Sequence, residues 1–194
     1  MTIYNIGQFF ENVRMNNFLD NCNIIHSGQY IAVIGGTGDA LNDYSALSDV
    51  EVVKISDEGV VSLSNCNISE FLVGFAAQSN NLICGGFTHW TLRMDPEDAT
   101  NQCKELDTDS LKWKERSPMQ KKRSGHTMTT ANNQTRYVCG GEDENDKSLK
   151  SCEKLEREWS FIKDIPIALG GHCMIGTEEF IYLIGGYDRS GVSK

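Results

Sequence analysis

The sequence predicts an all-β chain assembled from one repeated four-stranded unit. Three observations carry that expectation. A glycine pair recurs at Gly35-Gly36, Gly85-Gly86, Gly140-Gly141 and Gly185-Gly186, in steps of 50, 55 and 45 residues. Each pair closes a short run rich in Ile, Val, Leu and Tyr: Ile31–Ile34, Leu82–Cys84, Tyr137–Cys139 and Ile181–Ile184. The hydrophobic period never settles at the helical value over a long window, so no helix is expected. Self-similarity at a fixed period marks one supersecondary module used several times, and it outranks any single motif.

Within a unit the elements follow in order. The first strand precedes the glycine run by a few residues: Cys22–His26, Phe71–Ala76, His126–Thr130 and His172–Ile175. The joins are short and polar, such as Ser27-Gly28-Gln29 and Gln78-Ser79-Asn80, which suits hairpin loops. The second strand ends in Gly-Gly. Interior strand glycine costs roughly 0.5–1 kcal/mol relative to alanine, so four pairs make sense only where the backbone needs positive φ or a second segment comes close. A polar loop leads to a third strand at Val50–Ile55, Asn101–Asp107 and Leu149–Leu155. Leu149–Arg157 is rich in Glu and Lys yet falls in that slot, so it is expected as strand. The fourth strand carries Trp113 in one unit and Trp159 in the next, 27 and 26 residues before the following glycine pair. Phe9 stands 26 residues before Gly35. The unit ending at Gly85 has no aromatic there, and Val60–Leu63 takes the slot.

Composition narrows the function classes. The chain has 194 residues, 39% hydrophobic and 23% charged, with a net charge of −9. That balance argues against nucleic-acid binding, which needs a basic face. No apolar run approaches the about 20 residues of a membrane helix. Residues 1–20 lack a basic start followed by an apolar core, so no secretory leader and a cytoplasmic setting are expected. Of seven cysteines, Cys84 and Cys139 share one slot of the unit, and Cys103 and Cys152 share another. None lies in a CxxC. Repeat-phased cysteines read as small buried apolar residues rather than disulfides or zinc ligands. The sequons at Asn67 and Asn133 then read as chance matches.

At this point the residues resemble kelch repeats. The fullest unit runs Leu82–Gly141: LICGG, then Glu105–Asp107, Lys112-Trp113, Ser117–Met119 and the RSGH stretch Arg123–His126. The next shows Trp159, Pro166 and Gly170–His172. The resemblance covers nearly the whole chain, 1–194, as one domain. It departs from the family where Leu106 and Leu155 fill the usual Tyr slot, although Tyr4 fits at the N-terminus, and where Leu169 stands in the slot Arg123 fills. The resemblance implies a β-propeller of four-stranded blades. Residues 1–15 look like strands three and four of a blade, and 171–186 like strands one and two. Either these join into one composite blade of a four-bladed ring, or the chain is part of a longer propeller with open edges.

Competing motifs fare less well. IAVIGGTGD at Ile31–Asp39 imitates a dinucleotide turn, but Leu41 replaces the last glycine and no helix follows. Glu142–Asp146 has calcium-like acids without the required glycine and glutamate spacing. Three of the four histidines, His26, His126 and His172, recur in the first-strand region, which favours hydrogen bonding inside a blade. Lys112–Arg123 holds six basic residues, read as a solvated connection or, more sharply, as a dock for an acidic peptide.

The function this implies is a protein-interaction module, a scaffold or adaptor, with a protein or peptide partner and no cofactor or metal. In kelch propellers that bind peptides, ligand-facing residues come from the loop after Gly-Gly and the Arg before the next first strand. Carried onto this sequence, these are Asp39, Phe87, His89, Trp90, Glu142, Asp143, Tyr187 and Arg189, with Arg123. Some kelch proteins serve cullin-based ubiquitin ligases through separate N-terminal domains, and others bind actin. The alternative is a kelch-type enzyme, a copper-dependent oxidase or a sugar-processing enzyme. Converging copper ligands cannot be assembled from histidines held in strand slots.

Overall fold

The computed structural model describes residues 19–20, 23–27, 30–34, 37–38, 50–56, 59–65, 76–78, 81–87, 99–132 and 135–188. All regular structure in them is β. The strands are β1 (Leu19–Asp20), β2 (Asn23–Ser27), β3 (Tyr30–Ile34), β4 (Thr37–Gly38), β5 (Val50–Ser56) and β6 (Gly59–Asn65). A second group follows: β7 (Ala76–Gln78), β8 (Leu82–Cys84), β9 (Cys103–Asp107) and β10 (Lys112–Arg116). The third is β11 (Thr127–Ala131), β12 (Thr135–Cys139), β13 (Cys152–Leu155) and β14 (Trp159–Ile162), and the chain continues with β15 (Cys173–Gly176) and β16 (Ile181–Ile184).

Three sheets are four-stranded antiparallel meanders: β2-β3-β5-β6, β7-β8-β9-β10 and β11-β12-β13-β14. β15 and β16 pair as the first two strands of a further unit. Most expected elements are present, shifted by one to three residues, and Cys152–Leu155 is strand; of the expected Phe71–Ala76 strand only Ala76 falls in β7, and 71–75 lie outside the described residues. Residues 1–15, expected as strands three and four of a blade, lie outside the described residues.

The sheets stack through their first strands, β2 against β7, β7 against β11 and β11 against β15. The core lies between sheets rather than within one. Ala32, Ile34, Val50 and Val52 of the first sheet meet Ile83 and Leu106 of the second, with Trp113 at the margin. Leu82, Cys84 and Cys103 meet Met128, Val138 and Trp159 of the third. Ile165, Leu169, Met174 and Leu183 join the third sheet to β15–β16. Each large apolar side chain so covered is worth roughly 1.5–3 kcal/mol, which explains why one unit alone would not hold.

One expectation is corrected here. The repeat-phased cysteines are buried as expected, but they are bonded: Cys84 to Cys103 and Cys139 to Cys152. Register is the physical reason. Cys84 stands directly across from Cys103 on paired strands, as Cys139 does from Cys152. In the first sheet the equivalent pair is Ile34 and Val50.

Candidate functional site

The loops that leave the glycine pairs share one end of the sheets, and their stems are built alike. Gly85 N donates to Gln102 O and Thr100 N to Gly86 O; Gly140 N donates to Ser151 O and Leu149 N to Gly141 O. The residue after each pair is then caught by backbone pairing. Phe87 bridges Ala99, while Glu142 bridges both Ser148 and Ser124, and Tyr187 bridges Gly170. In the first sheet Thr37 pairs with Asp20 in the same manner. The segment entering β11 or β15 therefore runs between the loop of its own unit and the stem of the preceding one, and together they form one edge.

Glycine is required at these stems for two reasons. Gly140 and Gly141 have φ of 65° and 85°, in the region side chains avoid. The neighbouring unit also closes on them. A methyl group at Gly85 would lie 2.5 Å from His126 Cε1, and one at Gly140 would lie 2.4 Å from Leu169 O and 2.8 Å from His172 Cε1. His126 and His172 are thus packing residues between units. His172 Nε2 meets Thr127 Oγ1 at 2.7 Å. Burial first, then the nearby Arg123 and His172, holds His126 neutral, well below the ordinary histidine range. Burial lowers His172 as well.

Arg123 is the clamp of the edge. Its side chain is fully buried and paired with Glu153, also fully buried, at 2.7 Å. The guanidinium donates to Gly140 O at 2.8 Å, Ser151 O at 3.0 Å and Ser151 Oγ at 3.2 Å. Glu153 completes its shell by accepting from Gln120 N at 2.6 Å and Lys121 N at 3.2 Å. On the other side, Arg123 N donates to Thr100 O and Gly86 N donates to Arg123 O. One residue thereby ties the stems of the second and third units. Gly141 N donates to Leu169 O in the same way, so the departure at position 169 alters the side chain and keeps the backbone role.

The predicted partner-facing residues divide accordingly. Arg123, Phe87 and Asp143 are buried, which corrects their expected exposure. Phe87 turns inward, with its backbone bridged to buried Ala99. Asp143 accepts from Asn145 N and Lys147 N, both at 3.0 Å, and shapes its own turn. Tyr187 is 47% exposed and half-buried Glu142 lies close by: burial, then the charge of Glu142, raises the Tyr187 phenol. The two are brought together on the accessible edge, with exposed Asn145 and Lys147 on the adjoining turn. Asp39, His89, Trp90 and Arg189 lie outside the described residues. Glu153 was missed by sequence reading. Its signal was available, since a buried arginine needs a buried carboxylate.

The basic run Lys112–Arg123 is largely neutralised at home. Lys114 pairs with Asp107, Arg116 with Glu105, Lys121 with Asp143 and Arg123 with Glu153. Lys114 also pulls the Asp107 carboxyl well below its ordinary range. A cleft of about 280 Å³ between the second and third sheets is lined by Arg116, Arg136 and Arg157. Glu105 is shared by Arg116 and Arg136, and Glu156 also lines the cleft, so three guanidinium groups face two carboxylates there. Among the described residues, no group of three or more His, Cys, Asp or Glu is placed to hold a metal ion. No helix among the described residues is long and apolar enough to cross a membrane.

Comparison with known proteins places this architecture. No family model matches the chain. It is similar to alpha-scruin of Limulus polyphemus, 29% identical over 54% of this chain and 12% of the relative. It is similar to beta-scruin of the same animal, 32% identical over 45% of this chain and 10% of the relative. The chain thus spans about an eighth or less of these curated relatives. Scruins are kelch-repeat proteins. Among solved structures it resembles that of YjhT, with a TM-score of 0.71 and 13% identity over 87% of this chain and 59% of the other. That structure is a kelch-type propeller, and the likeness shows the fold.

Proposed function

We propose that the chain is a protein-interaction module of kelch type, and not an enzyme, and that it meets its partner at the edge formed by the loops after the glycine pairs. The observation that carries this is the repeated stem. The same hydrogen-bonded base presents a different residue at the same place in successive units: Thr37, Phe87, Glu142 and Tyr187. A rigid scaffold with variable loops is the arrangement binding proteins use. Tyr187 is a large amphipathic side chain, half-exposed beside a carboxylate, the kind of residue that anchors partners. The histidines at this edge are committed to packing against glycine, which leaves them unsuited to acid–base chemistry.

Filamentous actin is the first probe, since the kelch resemblance includes actin binders, and proteins captured from extract are the second. Tyr187→Ala and Glu142→Ala are expected to weaken retention of the bound protein at least fivefold without lowering the unfolding midpoint. Phe180→Ala is the control. Phe180 is exposed on the β15–β16 turn, at the opposite end of the strands. Loss of binding in the control with full binding by the two loop variants would place the interface elsewhere. Turnover by the purified chain with tightly bound copper would sink the non-enzymatic reading.

A further inference from the structure

The two cystines stand where the loop stems begin. Each bridge joins the last residue of a second strand to the residue directly across on the third. Each therefore closes one candidate loop, residues 85–102 in the second unit and 140–151 in the third, across sequence separations of 19 and 13. In the first unit the same two positions hold Ile34 and Val50, both fully buried. The pair changes together: two aliphatic residues in one sheet, two cysteines in each of the next two. Independent drift to small apolar residues would change one position at a time. A pair of thiols would also fill the slot less well than isoleucine and valine, so the bond is what both cysteines supply.

We infer that the Cys84–Cys103 and Cys139–Cys152 bridges are a redox latch on the stems of the partner-facing loops, holding the stem hydrogen bonds closed when oxidised and loosening them when reduced. This rests on the reading of those loops as the binding edge. Formation consumes a disulfide-bearing co-reactant such as oxidised glutathione. One cysteine thiolate attacks it and expels a first thiol. The opposing cysteine then attacks the mixed disulfide and expels the second, so two protein thiols become one bridge and the co-reactant leaves as two thiols. All four cysteines are at most 3% exposed, so exchange proceeds when the stem opens locally. The first unit, with Ile34 and Val50, is indifferent to redox state. A loop whose two ends are tied has fewer open states to visit. Reduction therefore raises the opening of the stem hydrogen bonds even where the sheet stays folded.

The experiment compares the whole chain equilibrated with oxidised glutathione and with excess dithiothreitol. Peptide mapping reads the bridges and amide exchange reads the stems. Linked peptides 84–103 and 139–152 are expected in the first state. On reduction, exchange at Gly85, Thr100, Gly140 and Leu149 is expected to rise at least tenfold, with β3 and β5 unchanged. The double variant Cys84→Ile with Cys103→Val rebuilds the pair of the first unit. It is expected to abolish the response at Gly85 and Thr100 and to leave that at Gly140 and Leu149. Absence of the linked peptides, or equal exchange in the two states, overturns the latch. Neither measurement needs a partner, so a chain that binds nothing at this edge defeats the binding reading without touching this one.

Discussion

Replacing Arg123 with Met is the sharpest test of how the units are joined. Methionine keeps much of the aliphatic stem but removes the charge and the donors to Gly140 O, Ser151 O, Ser151 Oγ and Glu153. Glu153, with no exposure at all, is left with only the amides of Gln120 and Lys121. Breaking a fully buried pair by deleting one partner costs about 3–5 kcal/mol, because the remaining charge is uncompensated. For a domain of this length that is a fall of about 6–20 °C in Tm. Urea unfolding followed by tryptophan fluorescence is the assay, since Trp159 packs in the adjoining core. The cycle is completed with Glu153→Leu and the double variant. A coupling of about 3 kcal/mol between the two sites is expected, far above the roughly 0.3–0.5 kcal/mol of independent positions. A loss below about 1 kcal/mol for Arg123→Met, or additive single losses, would refute the clamp.

The glycine pairs and the histidines make two further predictions. Gly185→Ala meets open space and pays only for its left-handed φ of 68°, about 1 kcal/mol. Gly140→Ala has a similar φ but drives a methyl group to 2.4 Å from Leu169 O; it is expected to lose at least about 2 kcal/mol more in the same urea assay. Equal losses would mean that the approach of the neighbouring unit is not what selects glycine. Burial makes His126 and His172 harder to protonate when folded, so unfolding takes up protons once the pH falls below the unfolded value of about 6.5. Their stabilising contribution is complete above that value and is lost as the pH drops toward the depressed folded values. The urea midpoint should therefore fall between pH 7.5 and about 5.5, before carboxylates begin to titrate, with a smaller slope in His126→Phe. A flat profile across that window would show that the two rings are not held neutral.

The periodicity of the fold was legible because it is local. A strand that ends in Gly-Gly announces itself within six residues, and four such strands appear in the described sheets where the spacing put them. What escaped was whatever depends on a residue across the sheet. Arg123 reads as an exposed anchor until Glu153, 30 residues away, is placed opposite it. Phe87 reads as an aromatic loop tip until the fold buries its ring beside Ala99. The cysteines were assigned to their slots, yet their bonding required knowing that the slot of Cys84 faces the slot of Cys103. The first unit held that information, since Ile34 and Val50 occupy the same two slots and pair in the same register.

That failure also shows where specificity resides. A position that recurs, such as the first glycine of the pair at Gly85 and Gly140, is spent on packing the next unit and cannot distinguish one partner from another. The backbone role of residue 123 recurs at Leu169 while its side chain does not, and that side chain is turned wholly inward to lock two stems. Discrimination is left to positions that the stem presents but does not consume. Glu142 and Tyr187 meet that condition: both have backbones fixed by bridges and side chains that reach the edge. Their neighbours Phe87 and Asp143 do not, because the first is packed and the second is bonded to its own turn. If the proposed edge is the binding edge, then among the described residues the contacts are expected at Glu142 and Tyr187, where the third unit meets β15–β16.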